Sequence, residues 1–195
     1  MRKLLLTIAL ATSLVCNAQE PEFIGEVNIH LNDTTRLLDK EYMSTSSKAD
    51  AGLSLFGVGS INTEIFVNGR TAKVRVPTDT EFSITAKALD NNSDPMSVIR
   101  VFQFEVHHDS RRALIAKASV FGSSNNKFSS LSFTATKYGK SSYNIKFSSL
   151  PVGEYGVIVS NPSNLDGKSA LIYCFGVGKP KAHSGWPKYN PDDMY

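Results

Sequence analysis

The chain has 195 residues, a formal net charge of +3, 10% aromatic residues and two cysteines. One domain of that length buries roughly 70% of its unfolded surface, so folding needs no disulfide framework. The charge is too small to build an electrostatic footprint for nucleic acid.

The first segment, "MRKLLLTIALATSLVCNAQ", places Arg2 and Lys3 before an apolar stretch from Leu4 to Val15 and small residues up to Ala18. That order is the pattern of a cleaved export signal over residues 1–18. The apolar run falls short of the roughly 20 residues of a membrane span, so no membrane anchor is expected. Cys16 raises the alternative of a lipidated N-terminus. However, Ser13-Leu14-Val15 lacks the Leu at −3 and the small residue at −1 which that processing prefers, and cleavage after Ala18 fits better. The mature chain would keep 177 residues, a charge of +1 and Cys174 as its one cysteine, which rules out an intrachain bridge.

From there the period is two. In "EVNIHL", Val27, Ile29 and Leu31 alternate with polar neighbours, as in a half-buried strand. A turn at "NDTT" leads to a second strand near 36–40, and the polar, small-residue stretch Tyr42–Gly52 reads as a loop. Asn68-Gly69 is a favoured pair for a type I′ turn. A two-residue loop there would set Val67 against Arg70, Ile65 against Ala72 and Glu64 against Lys73. Further strands follow in "EFSITAKAL", "SVIRVFQFEV", "ALIAKASVF", "LSFTATKY", "SYNIKF", "YGVIVS" and "SALIYCFGV", separated by Gly, Ser, Asn, Asp or Pro. About ten short strands at this spacing, with no convincing helical window, predict an all-β sandwich or barrel.

"LPVGEYGVIV" sets Tyr155 at the start of a strand, two residues after Gly153 and five after Leu150. The stretch resembles the tyrosine corner of immunoglobulin-type sandwiches, in the disulfide-free form of fibronectin type III modules, where the hydroxyl bonds back to the backbone. The reading is therefore structural for Leu150, Gly153 and Tyr155, against a ligand loop that would offer only Glu154 and Tyr155. The order of segments over roughly residues 50–178 also resembles that of uncharacterised exported immunoglobulin-like β-sandwich proteins of Bacteroidetes-type bacteria. The shared features are the Asn-Gly pair, the Gly-Glu-Tyr corner and the aromatic-Cys-Phe-Gly-Val strand. This resemblance implies a fold and brings no activity with it. The motif "FGVG" at 56–59 and 175–178 reads as glycine-permitted strand ends rather than a duplication.

Candidate chemistry is sparse. His107, His108 and Asp109 cluster, but adjacent strand residues face opposite ways and the set is short of ligands, so a solvated hairpin tip with Arg111 and Arg112 is expected. His30 and His183 have no partner at ligand spacing. Cys174, between Tyr173 and Phe175, reads as a buried small hydrophobe. No G-x-S-x-G elbow, calcium loop or phosphate cradle is present, and no cofactor or metal is expected. The Pro-rich tail 179–195 carries Trp186, Tyr189 and Tyr195. It either seals an edge of the sandwich, the preferred reading, or offers Trp186 and Tyr189 as a ligand platform.

The expectation is an immunoglobulin/fibronectin III-like β-sandwich over 53–178, with extra N-terminal strands over 19–52. It would serve as an exported, non-enzymatic module binding a protein or glycan at the periplasm or cell surface. A structural assembly subunit and a secreted hydrolase are the alternatives.

Overall fold

The computed structural model describes residues 20–49, 60–119, 124–125, 130–160 and 170–180. The strands are β1 (Val27–Leu31), β2 (Thr34–Leu37), β3 (Asp39–Ala49), β4 (Ser60–Asn68), β5 (Arg75–Val76), β6 (Phe82–Lys87), β7 (Ile99–Val106), β8 (Ser110–Ser119), β9 (Ser124–Asn125), β10 (Thr134–Tyr138), β11 (Ser142–Lys146), β12 (Gly153–Val159) and β13 (Ala170–Val177). Pro95–Val98 makes one helical turn, α1, capped by the Asp94 carboxylate, which accepts from the Met96 amide. The described chain is all-β apart from that turn.

Two sheets result. The first has five strands in the order β10-β11-β6-β1-β2. The second runs β12-β7-β8-β4-β3-β13-β5, and β12 also pairs with β13. That last pairing joins the ends, so β12, β7, β8, β4, β3 and β13 form a closed six-stranded barrel. Closure leaves those six strands with no free edge between them.

Alternation along three strands explains how one barrel serves two cores. Ile99 and Val101 of β7, Tyr155 and Val157 of β12, and Tyr173, Phe175 and Val177 of β13 pack against Val27, Ile84, Ala86, Tyr143 and Ile145 of the five-stranded sheet. Their alternating neighbours face the other way. Phe102, Phe104, Ile158, Ile172 and Cys174 meet Met43, Ile65, Val67 and Ala113, so each of the six strands contributes to this second core inside the barrel. Gly156 of β12 faces the same interior. A Cβ there would lie 2.7 Å from Ile172 Cδ1 and 2.9 Å from both Phe102 Cζ and Phe104 Cε2, so the aromatic pair occupies the space a side chain would need.

Three expectations are corrected. Asn68-Gly69 does not join a hairpin: β4 pairs with β3 and β8, while Arg75–Val76 runs parallel to β13. Gly69 does adopt a left-handed φ of +83°, but its amide donates to the Asp109 carbonyl, so the chain turns and leaves the sheet neighbourhood of β4. Nine-residue β4 gains two long antiparallel neighbours this way, and Ile65 and Val67 reach the barrel core. Second, Tyr42–Ala49 is strand rather than loop: β3 lies between β4 and β13, and its hydrogen-bonded position needs no apolar alternation to be held. Third, Arg111 is not solvated. It is 1% exposed, inside the barrel with its neighbour-but-one Ala113. The first "FGVG", the leader with Cys16, and the tail beyond Pro180 fall outside the described residues.

Candidate functional site

Leu150, Gly153 and Tyr155 sit where the two sheets meet at one end. The Tyr155 ring is fully buried, stacks on Phe175 with centroids 5.2 Å apart, and its hydroxyl donates to the Pro151 carbonyl at 2.5 Å. Burial pushes its pKa up to about 12. Leu150 packs partly buried against the first core. The residue before Tyr155 on β12, Glu154, is 2% exposed, and each of its oxygens is used: Oε2 accepts from the Ala72 amide at 2.7 Å and Oε1 from Arg75 Nη1 at 2.6 Å. Arg75 in turn donates through Nε to the Gly178 carbonyl at 2.8 Å, tying β5, β12 and the end of β13 together.

Around this knot the surface is concave on both sides. A cleft of about 820 Å³ opens between the sheets, walled by the end of β1, the β5–β6 loop, the end of β11 and the corner segment. Its chemistry is mixed: His30, Asp79, Glu81 and Lys146 border it together with the partly exposed rings of Phe82 and Phe147, whose centroids are 5.6 Å apart. A second cleft of about 500 Å³ lies on the far side of the corner, bordered by Arg75, Gln103, Glu105, Gly153 and Lys179. Volumes of this size are those of small-molecule sites.

His30 is held between two hydroxyls, Nδ1 to Thr35 Oγ1 at 2.9 Å and Nε2 to Thr85 Oγ1 at 2.6 Å. Desolvation lowers its pKa, which favours the neutral ring. Asp79 stands on the β5–β6 loop with a left-handed φ of 60°, a conformation Asp tolerates better than most residues, and it points into no described hydrogen bond. Asp79 and Glu81 therefore offer acceptors not engaged by described residues.

The other candidates fall elsewhere. His107, His108 and Asp109 form the exposed turn between β7 and β8, with His107 Nε2 3.9 Å from Glu105 Oε2. Among the described residues no group of three His, Cys, Asp or Glu is placed to hold a metal. Cys174 is fully buried in the barrel, and burial raises its thiol pKa well above the usual range, which keeps it protonated and unreactive. Trp186 and Tyr189 lie outside the described residues. The cleft residues come from four separate segments, each unremarkable alone, and no local sequence signal joins them.

Among the described residues no helix is long and apolar enough to cross a membrane. Compared with known proteins, the chain matches no family model, no curated protein and no solved structure.

Proposed function

We propose that the chain is an exported, non-enzymatic module of immunoglobulin-type β-sandwich architecture, which binds a glycan or protein at the cell envelope through the cleft beside the corner. The observation that carries the reading is the cleft itself: acceptors at Asp79 and Glu81 that no described residue engages, a cation at Lys146 and two aromatic rings border one space at one end of the scaffold. Loops presented by a sandwich are the usual place for such contacts.

The architectural half of the proposal is supported by strand order. β10, β11, β6 and β1 make one layer, and β7, β12, β13 and β5 the other, with β5 parallel to β13. Within that scheme β3, β4 and β8, with β9 beside it, are insertions that extend the second layer until it closes, while β2 extends the first. The Tyr155 bond to Pro151 supports the corner reading of Leu150, Gly153 and Tyr155. Export is supported by the basic, apolar and small-residue order of residues 1–18.

Thermal unfolding of the mature chain against a panel of glycans and peptides tests the binding reading. A true ligand at about 100 times its Kd adds about 2.7 kcal/mol, a clear rise in midpoint. The rise should vanish in Glu81→Ala and Lys146→Ala, both exposed positions whose loss leaves the fold intact. A flat panel, or a rise that survives both substitutions, would remove the cleft from consideration.

A further inference from the structure

The two clefts border neighbouring residues on the same three segments. Val76 borders the first and Arg75 the second; Leu150 borders the first and Val152–Glu154 the second; Val177 borders the first and Lys179 the second. On those segments Thr78, Val152 and Gly178 lie close together, and we take them as the low saddle between the clefts. Gly178 has a φ of +71°, and a Cβ there would lie 2.9 Å from Val152 Cγ2 and 3.1 Å from Thr78 Cγ2, so the backbone keeps the saddle low where a side chain would raise it. Val152 is 46% exposed on top of it.

We propose that the clefts are two halves of one groove for a linear, uncharged polysaccharide laid across the Thr78–Val152–Gly178 saddle, an inference that rests on the proposed binding function. Three observations select this ligand class. The groove is bordered by four carboxylates (Asp79, Glu81, Glu105, Glu154) and three cations (Lys146, Arg75, Lys179), so its charge nearly cancels and favours neither a polyanion nor a polycation. Glu154 and Arg75 neutralise each other, which leaves Asp79, Glu81, Glu105, Lys146 and Lys179 as acceptors and donors for hydroxyl groups. Phe82 and Phe147 supply the apolar faces against which the C–H side of a sugar ring loses water. An extended peptide is disfavoured because the sheet edge at the groove, β5, has two residues, too few backbone groups to take up an added strand.

Titration calorimetry of the mature chain with neutral linear oligosaccharides of one to six units, in glucose, mannose and N-acetylglucosamine series, tests this. Affinity should climb at least about tenfold between two and six units in one series, the gain expected when a second cleft is engaged. Val152→Asp and Lys179→Ala should each return the six-unit probe to the affinity of the two-unit probe while leaving the latter unchanged; Lys179→Ala keeps the test valid if Val152→Asp perturbs the corner. Affinity independent of length, with binding still lost in Glu81→Ala, overturns the groove but leaves the single-cleft binding function standing. Binding of a peptide and of no sugar likewise overturns it.

Discussion

Tyr155 concentrates the physics of the corner in one side chain. Its ring contributes apolar burial and stacks on Phe175, while its hydroxyl satisfies a carbonyl four residues back, on the segment that walls the cleft. Tyr155→Phe keeps the ring and removes the bond, leaving the Pro151 carbonyl without that donor. The expected cost is about 0.5–1.5 kcal/mol, read as a lowered denaturation midpoint. The same ring also sets a pH limit. Burial pushes the pKa of Tyr155 and of Tyr173 up to about 12, whereas in the unfolded chain both ionise near 10. Between pH 10 and 12 the folded state holds more protons than the unfolded state, so stability is complete below pH 10 and falls as the pH rises. Each tyrosine contributes a slope of up to about 1.4 kcal/mol per pH unit in that window. Midpoints measured from pH 9 to 12 should show the decline in the native chain and a shallower one in Tyr155→Phe. A flat profile would mean that the rings titrate alike in both states.

At the scale of elements, the barrel is closed by strands whose sequences do not advertise it. β3 carries Ser44, Thr45, Ser46 and Ser47 where a buried strand would show alternating apolar residues, and its pairing with β4 and β13 comes from the neighbours rather than from its own pattern. Inside the barrel Arg111 of β8 reaches Glu41 of β3, Nη2 to Oε2 at 2.6 Å, donates through Nε to the Gly69 carbonyl at 3.0 Å, and lies 5.7 Å from the Phe104 ring centre. Its Nη1 is buried with no hydrogen-bond partner among the described residues. A buried pair with an unmet donor is expensive to break and cheap to replace. Arg111→Ala should therefore cost about 3–5 kcal/mol, since Glu41 loses its counter-charge, whereas Arg111→Met combined with Glu41→Leu should be close to neutral or stabilising by chemical denaturation. Equal losses in the single and double variants would show instead that the ion pair itself specifies the closure. The elements most legible from sequence were those where period two and burial coincide, as in β1, with Val27 and Ile29 buried between half-buried neighbours, and in Phe102 and Phe104 of β7 against exposed Gln103 and Glu105. Asn68-Gly69 misled because turn chemistry is local, while the choice of partner for β4 depends on which strands lie near it in the fold. The cleft was illegible for a related reason, since Asp79, Glu81, Lys146 and Phe147 become neighbours only when β6 and β11 pair.

The whole molecule is governed by β7, β12 and β13, which carry residues of both cores on opposite faces. Val101 and Phe102 are adjacent in sequence, both buried, and belong to different cores; so do Val157 and Ile158, and Cys174 and Phe175. Neither core can loosen without releasing strands the other needs, so the five-stranded sheet and the barrel should unfold in one transition despite their distinct interiors. Ile84→Ala opens a void in the first core and Ile65→Ala in the second, at side chains 0% and 3% exposed. Each should cost about 2–5 kcal/mol. Both should move a single transition, followed equally by backbone circular dichroism and by hydrogen exchange at β11 and at β4. Two separable transitions, with Ile65→Ala shifting only the protection of β4, would mean that β3, β4 and β8 form an independent unit. The shared strands also place the proposed binding cleft mechanically. Its walls are the ends of β1, β5, β11 and β13, all anchored in the first core, so Ile84→Ala should weaken ligand binding through the scaffold whereas Ile65→Ala should leave it nearly unchanged at temperatures well below either midpoint.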